Sequence, residues 1–152
     1  MSVRLSDDDA WAVVSAAHTG IFTSLRRDGM PIALPLWFVA LDRRIYVSGP
    51  ATAKRVARVR RDPRVSFLVE SGTRWAELRA VHFTGRARVV TEPDVLGRVA
   101  AALDAKYAAF RTRRQAMPAA TRAHYEVERA TIEITPGAHI LSWDNARLMR
   151  PA

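Results

Sequence analysis

Apolar positions along this chain first recur at helical spacing and then change period. Trp11, Val14 and Ala17 stand three apart behind Ser6 and the acids Asp7, Asp8 and Asp9. A serine N-cap with anions in the first turn suits the positive end of a helix, which should end near His18 to Gly20. The next stretch, "GIFTSLRRDGMPIALPLWFVALDRRIYVSG", predicts three strands joined at Asp28-Gly29 and Asp42-Arg43. The middle strand, Ile32 to Leu41, is apolar on both faces, whereas a sheet with one wet face would alternate. One of its faces is expected in a barrel or sandwich core, the other against a second layer or another subunit.

A basic helix is predicted from Thr52 to Arg61. Asp62-Pro63 closes it, because the residue before proline is pushed out of the helical region. Val65 to Glu70 and Arg79 to Val90 read as the fourth and fifth strands, with Gly85 marking a bulge or a close approach. Pro93 opens a helix that places Val95, Val99, Leu103 and Tyr107 on one face. A short helix is expected after Pro118, and "RATIEITPGAHILSWDNARL" predicts two strands across Pro136-Gly137. Short antiparallel strands with a few covering helices fit a mainly β fold, a small barrel. A TIM barrel needs more chain, and a Rossmann unit needs a glycine fingerprint that is absent.

The 152 residues suit one domain, 1–152, and an apolar fraction of 49% is enough for a core. The absence of cysteine excludes disulfides, thiolate metal sites and a thiol nucleophile. His18, His124 and His139 lie far apart in sequence with no helix-spaced partner, so no metal site is expected. No apolar run approaches the roughly 18 residues of a membrane span. The first residues lack the basic region and apolar core of a secretory signal. A cytoplasmic protein without a membrane partner is the expectation. The net charge of +9 favours an anionic partner, or serves solubility alone.

The basic helix sharpens that choice. Thr52 is the natural N-cap, Ser48 adds a second hydroxyl, and Gly49 lets the backbone come close. Lys54 and Arg55 fall in the first turn, the wrong end for cations, at about 0.3–1 kcal/mol for each exposed charge. An arriving phosphate would reverse the sign. The other reading packs Ala53, Val56, Ala57 and Val59 on the barrel and leaves Lys54, Arg58 and Arg61 on a solvated side; the residues fit both. A nucleic-acid binder would interleave aromatic and basic residues on an exposed sheet. Here Phe22, Phe38 and Phe67 sit among apolar neighbours, so nucleic acid is not an expected partner.

Three stretches, "GIFTSLRRDGMPIALPLWFV", "RIYVSGPATAKRVARVRRDPRVSFLVE" and "ELRAVHFTGRARVV", resemble the pyridoxamine 5'-phosphate oxidase-like superfamily of split barrels. The likeness runs from Gly20 to Val90, with an echo in "ILSWDNARL". It is nearest to the actinobacterial branch that includes deazaflavin (coenzyme F-420) dependent reductases. The resemblance implies a six-stranded antiparallel split barrel with flanking helices that forms a homodimer, with FMN or a deazaflavin in a groove at the subunit interface. It places the cofactor phosphate on Lys54, with Arg55, Thr52, Ala53 and Ser48. It lays the ring against Leu34, Pro35, Leu36 and Trp37, and brings Trp75 from the other subunit. Arg58, Arg60 and Arg61 would suit the polyglutamate tail of the deazaflavin, and Arg61 is counted with the cofactor-binding residues. The further arginines and histidines with which the oxidases proper hold substrate phosphate have no counterpart here, so that specific activity is not expected.

The resemblance implies an oxidoreductase that reduces a small organic molecule by hydride transfer. A non-catalytic carrier of the same cofactor is the alternative. The cofactor carries the difficult chemistry, so no triad or carboxylate pair is required. His82, Tyr46 and Tyr107 are candidate proton donors, and the sequence singles out none of them. Trp37, Trp75 and Trp143 could wall an aromatic pocket, while Trp11 is expected to pack its helix on the core.

Overall fold

The computed structural model describes residues 2–149. Helix α1 (Asp7–Ala16) begins as the sequence requires: the Ser6 hydroxyl accepts the Asp9 backbone N–H at 3.2 Å. Seven strands follow, β1 (Gly20–Leu25), β2 (Pro31–Leu36), β3 (Val39–Leu41), β4 (Arg44–Pro50), β5 (Arg64–Ser71), β6 (Arg79–Val89) and β7 (Arg129–Asp144). Helix α2 (Lys54–Arg61) lies between β4 and β5, and α3 (Pro93–Tyr107) and α4 (Ala119–Tyr125) between β6 and β7. All strand pairs are antiparallel, in the order β2-β1-β5-β6-β7-β4-β3.

That order closes the sheet. Strands β2 and β3 stand at opposite edges, yet only Trp37 and Phe38 separate them. Three Cα steps of about 3.8 Å reach no further than about 11 Å. The two edges must therefore approach, and the sheet rolls into a split barrel. Its interior holds Phe22, Phe38, Phe67, Phe83, Ile45 and Ile134, all nearly inaccessible. Val56 and Val59 of α2 join this core, and Trp11 of α1 stacks on Phe83 with centroids 5.9 Å apart. On the outside, Val99, Leu103 and Tyr107 of α3 pack against Val39 and Tyr46.

Seven strands replace the six that the resemblance implied, and two further expectations are corrected. The doubly apolar stretch from Ile32 to Leu41 breaks at Trp37–Phe38 instead of running as one strand. The reason is a competing set of partners. The Tyr107 hydroxyl accepts the Phe38 N–H at 2.9 Å and donates toward the carbonyls of Phe38 and His18, each at 2.8 Å. Lys106 Nζ donates to the same Phe38 carbonyl at 3.0 Å. Helix α3 thus takes the backbone groups that a ladder would have used. Conversely, Pro136-Gly137 does not turn the chain. It bends a single 16-residue strand, β7. Gly85 makes this possible: a Cβ there would lie 2.3 Å from the Thr135 carbonyl oxygen, opposite the register shift in β6.

One buried acid was not singled out by the sequence. Glu133 on β7 accepts from the Tyr46 hydroxyl at 2.9 Å and from Arg88 Nε at 2.8 Å. Burial alone would raise its pKa, but the Arg88 and Tyr46 hydrogen bonds outweigh that and lower it. The carboxylate ties β4, β6 and β7 together as a structural hub.

Candidate functional site

Helix α2 divides the predicted cations between two clefts. Thr52 does not cap it. A turn from Pro50 to Ala53, closed by the Ala53 N–H to the Pro50 carbonyl at 3.0 Å, pushes the helix start to Lys54. The N-cap is Ala53, with no side-chain hydrogen bond, and Thr52 is exposed in the turn. Lys54, Arg58 and Arg61 follow helical spacing to one side, as expected. They face a cleft of about 400 Å³ under the β1–β2 hairpin, together with Arg26, Arg27 and Asp28. Two of these cations already have partners: Arg26 pairs with Asp28 at 3.1 Å, and Arg61 donates to the Leu25 carbonyl at 2.7 Å.

Arg55 turns the other way. Its guanidinium lies against Gly49, where an added Cβ would stand 1.8 Å from Nη2. It is half-buried, and burial together with the facing Arg129 holds its pKa below the ordinary arginine value. Among the described residues no ion pair joins Arg55 or Arg129. Both line a larger cleft, about 710 Å³, whose floor is Ser48, Gly49 and Pro50 at the end of β4. Arg129 enters because the register pairs it with Pro50. This volume falls in the usual range of small-molecule sites.

An aromatic plate forms the far end. Trp37 is stacked on Tyr107 with centroids 4.3 Å apart and planes within 5°. His18 meets Phe110 edge-on at 4.4 Å. Lys106 lies beneath, its Nζ 4.0 Å from the Phe38 ring centroid, and burial lowers its pKa to about 8. The Tyr107 and Tyr46 hydroxyls are buried and fully engaged, which removes both as proton donors.

Of the predicted site residues, the large cleft thus unites Trp37, Ser48 and Arg55. Lys54 and Arg61 fall on the hairpin side. Leu36 and Ala53 pack against the core. Leu34 is exposed on the edge strand, and Pro35 lines a third cleft beside the end of α1. Trp75 is exposed in a short 3-10 turn before β6, held through its carbonyl by Asn145 Nδ2 at 2.8 Å. Sequence reasoning missed Arg114, Arg122 and Arg129. They are scattered along the chain, and only the fold brings them into one cleft with the end of β4. Among the described residues no His, Cys, Asp or Glu cluster could hold a metal, and no helix is long and apolar enough to cross a membrane.

Residues 6–136 match the family described as pyridoxamine 5'-phosphate oxidase. The chain belongs to this family. Its split barrel superposes on a conserved hypothetical protein, Rv2991, from Mycobacterium tuberculosis, with a TM-score of 0.81 and 29% identity over 99% of this chain and 91% of that one. An F420 reductase gives a TM-score of 0.63 at 19% identity, covering 86% and 94% of the two chains. The haem-storage protein HutZ from Vibrio cholerae gives 0.70 at 11% identity, covering 96% and 99%. The last two likenesses show the fold alone. No curated protein matches the chain by sequence.

Proposed function

We propose that this family member is an oxidoreductase that binds a deazaflavin (coenzyme F-420) or FMN and reduces a small organic molecule. One observation carries the reading: a cofactor-sized cleft joins the Trp37 plate to Ser48 and an unpaired, half-buried Arg55. Two guanidinium groups facing each other without an acid are eased by an oxyanion, so the residues present fit a phosphate. Ser48 and Arg55 would hold it on the cleft floor, with Thr52 in the turn before α2, while Lys54, on the hairpin side, would meet an acidic tail. Trp37 and the backbone of Leu34, Pro35 and Leu36 would orient the ring. When bound and reduced, such a cofactor supplies hydride.

Arg58 and Arg61, in the hairpin cleft, would take an acidic tail, which favours the deazaflavin over FMN. A second copy of the chain would complete the groove, cover the exposed Leu34 and bring its own Trp75. A cysteine-free chain needs no oxidising compartment, and we place it in the cytoplasm. Likeness to a haem-storage protein keeps a carrier role as the rival reading.

Spectroscopic titration with FMN and with the deazaflavin tests the proposal, followed by turnover with a panel of enones and quinones. Binding with turnover is expected; Arg55→Ala should weaken binding of either cofactor, and Lys54→Ala that of the deazaflavin, each by about 1.5–3 kcal/mol. Binding without turnover would leave a carrier, and no binding of either cofactor would end the reading. Light scattering should return a dimer mass.

A further inference from the structure

The large cleft carries more positive charge than one phosphate can balance. Arg55, Arg111, Arg114, Arg122 and Arg129 line it, against Asp104 as the one acid among the described residues. Asp104 is already paired with Arg111. The other four have no ion-pair partner among the described residues. A phosphate brings about −1.5 to −2 at neutral pH. Arg55 and Arg129, on the floor, are enough to meet it.

Arg114 and Arg122 belong to a different wall. They stand on the segment after α3 and on α4, among Phe110, Met117 and Tyr125. Phe110 and Tyr125 are 62% and 48% exposed, and with Met117 they present an apolar surface to the cleft. Arginine pairs a carboxylate through two parallel N–H donors, and aromatic and thioether side chains suit a flat apolar body.

We infer that this wall selects the molecule to be reduced, a planar, apolar-bodied carboxylic acid. Arg114 and Arg122 bind its carboxylate, and Phe110, Met117 and Tyr125 cover its body. The inference rests on the cofactor reading in one respect, that the Ser48–Arg55 end is filled by cofactor phosphate. A carboxylate could also come from the cofactor's own acidic tail, and the test separates the two sources.

Cofactor-free protein is titrated calorimetrically with 2-naphthoate and with its neutral match, 2-naphthylmethanol. The acid should bind about tenfold or more tightly than the alcohol. The double substitution Arg114→Met, Arg122→Met should remove that advantage and leave the FMN titration unchanged. Both side chains are exposed, so melting should not move. Equal binding of acid and alcohol, or acid binding that survives the double substitution, overturns the inference. So does a double variant that loses FMN, or one that loses affinity for the deazaflavin but not for FMN, since either assigns the wall to the cofactor. Acid binding as expected in a protein that takes neither cofactor would sink the cofactor reading and leave the acid site standing.

Discussion

Replacing Tyr107 by phenylalanine removes one oxygen from the corner on which barrel closure depends. The ring can keep its place, since Phe retains the surface that stacks on Trp37. What is lost is an acceptor for the Phe38 N–H and a donor toward two carbonyls. These losses are unequal. The Phe38 carbonyl keeps Lys106 Nζ, and His18 is exposed enough for water to replace the hydroxyl. The Phe38 amide has no substitute, because the residue is inaccessible. The expected cost is that of one buried unsatisfied donor, about 1–3 kcal/mol. For a chain of this size that is a fall in Tm of about 2–12 °C. Urea and thermal denaturation, run at one protein concentration because self-association would shift both, measure it. A change below about 0.5 kcal/mol, the range of ordinary surface substitutions, would refute the claim that this hydroxyl holds the corner.

Gly49→Ala should fold, because the clash it creates is with the mobile tip of Arg55, but it should push that tip off the cleft floor and weaken FMN binding; an unchanged titration would contradict the packing described. Gly85→Ala meets backbone instead, 2.3 Å from the Thr135 oxygen, and should cost about 1–3 kcal/mol by denaturation. Lys106 has a folded pKa of about 8 against 10.5 for the free side chain, so between those values the unfolded chain binds more protons and stability rises with pH. Lys106→Met should flatten that slope in urea midpoints taken from pH 7 to 10, and an identical slope in the variant would assign it elsewhere.

The sequence made legible what depends on near neighbours. Ser6 and its three acids set the start of α1, and the spacing of Val99, Leu103 and Tyr107 set the buried face of α3. Lys54, Arg58 and Arg61 shared a side as their spacing required. Less legible was whatever depends on a partner distant along the chain. The break at Trp37–Phe38 is imposed by Tyr107, some seventy residues on, and no local turn signal marks it. Pro136-Gly137 carries a turn signal, but tertiary pairing with β6 on both sides of it overrides that preference. Thr52 lost the cap because the Pro50–Ala53 turn moved the N-cap one residue on, to Ala53. The candidate site suffers most from this limit: Lys54 and Arg55 are adjacent in sequence and diverge in space, while Arg55 and Arg129 converge only through the β4–β7 register.

The margin formed by β2 is apolar and open, a combination that ordinarily invites neighbouring chains to add on without limit. Two of its six residues, Pro31 and Pro35, have no amide hydrogen to offer an incoming strand. The opposite margin, β3, is only three residues long. Another molecule can therefore stick to this barrel through side chains but cannot extend its sheet. Neither margin offers the long, fully hydrogen-bonding edge from which an open-ended β-ladder grows.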